Sequence, residues 1–276
     1  MLEQRYTLSD GTRVPRLAFG TWQISDSDAC RAVTDAIGTG YRLIDTAVDY
    51  GNERGVGQAI RECGLKRSDL QVVSKIPHDM KTYQGTKRTI DESLDRLDIG
   101  YLDLMLIHSP KPWPELDAHS PKTYFEENLE VWKAMEEAVE DGRIKALGVS
   151  NFGIADIQNI LDNAAIAPVV NQIRVHVGHV PADVISYCRE RGIVIMAFAP
   201  NATGKLLHHP ITTAIAARYG VSVPQLCIRF DLQLGTMPLP KTLSRERMAQ
   251  NAYVDFVISD DDMAELLKVP EVNNLG

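Results

Sequence analysis

The sequence predicts one α/β domain over residues 1–276, a (β/α)8 barrel of parallel strands behind an N-terminal β-hairpin. Three observations lead there. Eight short β-rich runs alternate with amphipathic stretches along the chain. Three successive runs end in an ionisable residue, Asp45, Lys75 and His108, at spacings of 30 and 33 residues, or one strand–helix unit each. A chain of 276 residues with 44% hydrophobic composition can fill one core of that size.

The elements follow in order. Asp10-Gly11 is a favoured tight-turn pair between Arg5-Tyr6-Thr7-Leu8 and Arg13-Val14-Pro15, which makes the opening hairpin. Barrel strands fall near residues 16–21, 42–46, 70–76, 102–108, 146–151, 169–174, 194–199 and 236–241. Ser25 or Asp26 caps a helix that runs through Ile37, and Gly38 and Gly40 end it. Residues 131–139 repeat apolar positions at helical spacing until Asp141-Gly142 stops them, which puts Trp132 in the core. Residues 109–124 are long, Pro-rich and aromatic; leaving the strand that ends in His108, they should overhang the same mouth. Gly38-Thr39-Gly40 precedes a strand and lacks a third glycine, so it is a helix stop and not a dinucleotide fingerprint.

Bulk properties narrow the function. A formal net charge of -8 gives no basic face for nucleic acid. Cys30, Cys63, Cys188 and Cys227 form no CxxC pair, which fits reduced thiols in the cytoplasm. Neither a signal-like start nor a run near the roughly 18 apolar residues of a membrane helix is present, so a cytoplasmic location is expected; a monomer is expected separately. His176 and His179 have no carboxylate or thiol set at ligand spacing, so no metal is expected, and His208-His209 reads as a surface helix start.

A closed barrel brings Asp45, Lys75 and His108 to one rim, where such barrels do chemistry, and Tyr50 leaves the same strand as Asp45. Buried lysine needs a partner, which Asp45 supplies. An ammonium at about 4 Å and an effective dielectric near 20 favours phenolate by up to roughly 4 kcal/mol, or ~3 pK units before desolvation subtracts. Tyr50 would then be a workable general acid, with His108 orienting a carbonyl oxygen. Lys241 ends the eighth strand and Arg247 lies in the next helix's first turns, a pair of cations suited to a phosphate dianion. Trp22 and Trp113, in loops at the mouth, read as substrate-pocket walls beside Tyr50 and His108.

These residues belong to a longer pattern: Gly20-Thr21-Trp22, Asp45-Thr46-Ala47, Tyr50-Gly51-Asn52-Glu53, Ser74-Lys75, Ile107-His108, the run from Gly142 to Phe152, Asn171-Gln172-Ile173 and Pro240-Lys241-Thr242 with Arg247 and Asn251. In that order and over nearly the whole chain, the sequence resembles an aldo-keto reductase, of the bacterial type that includes diketogluconate reductase-like members. The resemblance implies a barrel plugged by its hairpin, with NADPH across the top and an aldehyde or ketone as substrate. It makes Asp45, Tyr50, Lys75 and His108 the catalytic tetrad. Ser150, Asn151 and Gln172 match the nicotinamide-carboxamide site, and Phe198 the stacking aromatic. Lys241, Thr242, Ser244, Arg247 and Asn251 match the grip on 2′-phosphate and adenine, while Gly20, Thr21, Trp22, Asp45 and Gln250 complete the cofactor's surroundings.

Four departures stand out: Phe198 for a tyrosine, Gln250 for a glutamate, Ser109-Pro110 where tryptophan often follows the histidine, and residues 201–205, expected over the pyrophosphate. Residues 272–276 end a short tail, which should leave the pocket open to small polar carbonyls. Two rivals share the barrel: an idle NADPH-binding subunit that reports redox state to a partner protein, and a lyase or isomerase using Lys75 as a Schiff base.

Overall fold

The computed structural model describes residues 1–272. The end of the tail, residues 273–276, lies outside the described residues, and with it most of the segment expected to leave the mouth open. Two short strands, β1 (Arg5–Thr7) and β2 (Arg13–Pro15), pair antiparallel around the expected turn. Eight parallel strands follow: β3 (Phe19–Gly20), β4 (Leu43–Asp45), β5 (Gln71–Ile76), β6 (Leu102–Ile107), β7 (Ile144–Ser150), β8 (Val170–Arg174), β9 (Val194–Phe198) and β10 (Met237–Leu239). Neighbours in sequence are neighbours in the sheet from β3 to β10. Ala18 N donates to Pro238 O at 3.2 Å and Gly20 N to Pro240 O at 3.1 Å, which joins the first strand to the last. The chain is a (β/α)8 barrel with an N-terminal hairpin.

Two apolar layers explain why the sequence folds this way. Leu43, Val73, Leu104, Leu106, Met196 and Met237 form an inner cluster that also takes in Leu8 and Val14 of the hairpin region, so the hairpin plugs the barrel floor. Ile44, Val72, Ile76, Met105 and Ile107, the alternate positions on the same strands, join the outer cluster with helix residues such as Val33, Ile60, Ile90 and Trp132. A strand's side chains alternate between faces. Asp45 stands two residues after Leu43, Lys75 two after Val73 and His108 two after Leu106, so alternation assigns all three to the inner face.

The first helix spans Asp26–Thr39, with the Ser25 hydroxyl accepting from Asp28 N and Gly40 in the left-handed region at φ 111°. Trp132 is buried in the helix Phe125–Glu140, its indole N–H donating to Ile166 O at 2.9 Å. Residues 109–124 contain a short helix, Trp113–Asp117, and Lys111 Nζ ties the segment together by donating to Ser120 O and Lys122 O, both at 2.8 Å. The helix Pro210–Arg218 starts directly after His209, where the sequence places a helix start, with no capping bond from the His209 side chain.

Candidate active site

Lys75 anchors the site. Its side chain is 0% exposed, and its ammonium donates to both Asp45 oxygens at 2.8 and 2.9 Å, to Thr46 O at 2.8 Å and to the Tyr50 hydroxyl at 3.2 Å. Gln172 Nε2 adds a donor to Asp45 Oδ1 at 2.7 Å. Thr21 Oγ1 donates to the Asp45 carbonyl at 2.9 Å and holds β4 from the side. Burial pulls the Lys75 ammonium below its ordinary pKa, against the opposing pull of Asp45.

Tyr50 ends the 3-10 turn Val48–Tyr50, which leaves β4. The buried Asn52 fixes that turn: it accepts from Thr46 Oγ1 at 2.6 Å and donates to Thr21 O and Ile24 O, both at 2.9 Å. Glu53, the next residue, takes Ser74 and Ser93 hydroxyls at 2.6 Å and the Arg96 guanidinium at 2.8 Å. His108 meets the Tyr50 ring edge-on at 5.6 Å and Trp113 at 5.3 Å.

The electrostatics differ from the simple expectation. Burial, then the charges of Asp45 and Asp49, push the Tyr50 phenol well above its ordinary range, whereas a lone neighbouring cation would have lowered it. Burial is the main cause, and the geometry leaves it unopposed: both Asp45 oxygens lie against the ammonium, so the phenol faces a neutralised pair and a second carboxylate, not a bare charge. Tyr50 therefore holds its proton at neutral pH.

The tetrad opens on a cavity of about 900 Å³. Of the residues expected there, Gly20, Trp22, Asp45, Tyr50, His108, Trp113, Ser150, Asn151, Gln172, Phe198 and Lys241 line it. Thr21 and Lys75 lie buried behind the wall. Thr242, Ser244, Arg247, Gln250 and Asn251 lie beyond the wall, the first two just before the helix Arg245–Ala252 and the other three within it; Ser244 caps it by accepting from Arg247 N at 3.3 Å. Lys241 and Arg247 are exposed. Asn151 Nδ2 donates to His108 O and Ser150 Oγ at 3.0 Å, and Ser150 Oγ donates to Gln172 O at 2.8 Å. Their donors thus point inward, and no donor among the described residues reaches Asn151 Oδ1 or Gln172 Oε1.

Sequence reasoning missed Asp49, His78 and Asp117, which also line the cavity; of residues 201–205, expected over the pyrophosphate, Asn201, Thr203 and Gly204 are on the wall. Asp49 Oδ2 lies 2.9 Å from His108 Nδ1, and His78 Nδ1 accepts from Trp113 N at 3.2 Å. The Asp-Tyr pair in the sequence was the available signal for Asp49. His176 and His179 bridge each other's backbone, and among the described residues no group of three His, Cys, Asp or Glu could hold a metal. No helix among them is long and apolar enough to cross a membrane.

The fold and site together define a parallel barrel with a buried Asp45–Lys75 pair, a phenol and an imidazole gathered at its strand ends. Comparison with known proteins makes the class specific. The family model described as "Aldo/keto reductase family" matches residues 16–271, so the chain belongs to the aldo-keto reductases. It is 39% identical to the uncharacterized oxidoreductase YtbE of Bacillus subtilis, covering 100% of this chain and 96% of that one. Glyoxal reductase of the same organism is 36% identical over 96% of this chain and 92% of its own. A crystal structure of a Bombyx mori aldo-keto reductase in complex with NADP superposes with a TM-score of 0.85 at 33% identity, covering 96% of this chain and 92% of that one.

Proposed function

We propose that this protein, working as one domain, reduces an aldehyde or ketone to an alcohol with NADPH, and that Tyr50 is the proton donor. The observation that carries the reading is the Lys75 ammonium held between Asp45 and the Tyr50 hydroxyl, 3.2 Å from the phenol oxygen, at the wall of a cavity large enough for a cofactor and a small substrate. When bound, NADPH supplies the hydride that reaches the carbonyl carbon.

The chain's own residues do the rest. A general acid must begin protonated, and the upward shift of Tyr50 meets that need. As the carbonyl oxygen gains charge it takes the phenol proton, and the ammonium beside the phenol stabilises the phenolate left behind. Asp45 keeps Lys75 charged at that depth. His108, against the Tyr50 ring, sets the direction from which the oxygen approaches. The free acceptors Asn151 Oδ1 and Gln172 Oε1 suit the amide N–H groups of a nicotinamide, and Phe198 offers a face for its ring. Exposed Lys241 and Arg247, at a helix N-terminus, suit the 2′-phosphate and favour NADPH over NADH. A glyoxal reductase among the relatives supports a small polar carbonyl as substrate.

Loss of NADPH absorbance with a panel of small aldehydes, ketoacids and keto-sugars tests the reading. Tyr50→Phe should slow carbonyl reduction by about 10²–10⁴-fold, with NADPH binding by fluorescence retained. Near-normal reduction by that variant would refute Tyr50 as the acid. No carbonyl-dependent rate in the parent protein would favour the idle, redox-reporting barrel.

A further inference from the structure

The Asp49–His108 contact has no part in the roles assigned above. Asp49 stands directly before Tyr50 on the 3-10 turn Val48–Tyr50, and its Oδ2 lies 2.9 Å from His108 Nδ1 at the wall of the cavity. An ionised carboxylate only accepts, so the proton in this contact belongs to Nδ1. A neutral imidazole has one N–H, and with Nδ1 protonated the other nitrogen, Nε2, carries a lone pair.

We propose that Asp49 is a positioning residue that fixes His108 as the Nδ1–H tautomer, so that Nε2, the nitrogen left for substrate, accepts hydrogen bonds until the ring takes a second proton. The consequence for catalysis rests on the carbonyl-reduction reading. With His108 neutral, Tyr50 is the sole side-chain donor of the pair to a carbonyl oxygen. With His108 protonated, Nε2–H becomes a second donor to that oxygen, and polarisation of the carbonyl increases.

The groups around the ring set when this happens. Asp49 and Tyr50 face it from the turn, Asp45 from β4 and Lys75 from β5, while His78, on the loop that follows β5, acts on Asp49 and lies against Trp113, which itself meets the His108 ring. Burial lowers the His108 pKa below the ordinary 6.5, Lys75 lowers it further, and Asp49 and Asp45 oppose without prevailing. Burial also acts to raise Asp49, but the hydrogen bond and charge of His108, with His78, keep it below the usual carboxylate range. The couple is thus carboxylate with neutral imidazole at neutral pH, and reduction should accelerate as pH falls through the His108 pKa. Tyr50, pushed upward, stays protonated throughout and cannot produce that limb.

Histidine 15N NMR on the cofactor-free protein tests the tautomer directly. At neutral pH, His108 should show a protonated Nδ1 and an unprotonated Nε2, and Asp49→Ala should move the proton to Nε2. In kinetics, kcat/KM for carbonyl reduction should rise by up to about tenfold per pH unit on the alkaline side of the His108 pKa; Asp49→Ala should flatten this limb and Asp49→Glu restore it. A parent protein with Nε2 protonated, or an Asp49→Ala variant that keeps the parent tautomer and limb, would overturn the proposal. If Asp49→Ala does not fold, the parent spectrum still decides. Absence of any carbonyl reduction would instead fell the functional reading, and the NMR result would stand apart from it.

Discussion

Replacing Lys75 by Met tests the centre of the site through stability, without reference to turnover. At 2.8 Å and an effective dielectric near 20, the attraction between Lys75 and Asp45 is about 6 kcal/mol, most of it offset by the loss of water around two buried ions. The single variant exposes a different quantity: an Asp45 carboxylate 5% exposed, left with the Gln172 amide at 2.7 Å as its side-chain donor. Breaking a buried pair in this way costs about 3–5 kcal/mol. For a chain of this size that is a fall in Tm of roughly 6–20 °C. Adding Asp45→Asn removes the stranded charge while keeping an oxygen for Gln172, so the double variant should recover at least about half of the loss. Denaturant unfolding of the four proteins closes the cycle. A single variant within about 1 kcal/mol of the parent, or a double variant as unstable as the sum of both singles, would refute the claim that the two ions hold each other.

Two further outcomes follow from groups away from the chemistry. Burial pushes His176 down from 6.5 to about 4, so the unfolded chain binds more protons than the fold as pH falls through that window, and stability should drop there by about 3 kcal/mol. His176→Gln, which keeps a donor for Val177 O, should lose less between pH 7 and 4.5 in urea titrations; an equal loss would remove His176 from the account. In the helix Glu53–Glu62, alanine normally beats glycine by about 1 kcal/mol, yet a Cβ on Gly57 would sit 1.9 Å from Leu97 O, so Gly57→Ala should destabilise by about 1–3 kcal/mol or more. A variant as stable as the parent would show that Leu97 can move.

The parts of this site that the sequence makes legible are those that a local rule controls. Period-two alternation assigns Leu43, Val73 and Leu106 inward, and the same rule carries Asp45, Lys75 and His108 inward two residues later. The hairpin was readable from one turn pair, and the cations Lys241 and Arg247 from their distance past the last strand. The Asp45–Lys75 pair was readable too, from the need of a buried cation for a partner; what was not readable is how deeply the phenol is buried and which further carboxylate reaches it. One cation beside one phenol predicts an acidified tyrosine; the fold instead buries the phenol, wraps both Asp45 oxygens around that cation and brings Asp49 to the same mouth, and the phenol moves the other way. The segment 109–124 fails for a related reason, because its shape depends on Lys111 and Tyr124 finding partners inside the segment, Ser120 O and Lys122 O for the first and Glu115 for the second. Residue type fixes which groups can carry a proton, whereas the sign of the shifts at Tyr50, Lys75 and His108 is set first by burial, with the paired charges adding to it or opposing it. The Asp49 contact is a pairing of this kind, acting through His108: with an ionised carboxylate at Nδ1, the proton of the neutral ring stays on that nitrogen and Nε2 keeps its lone pair.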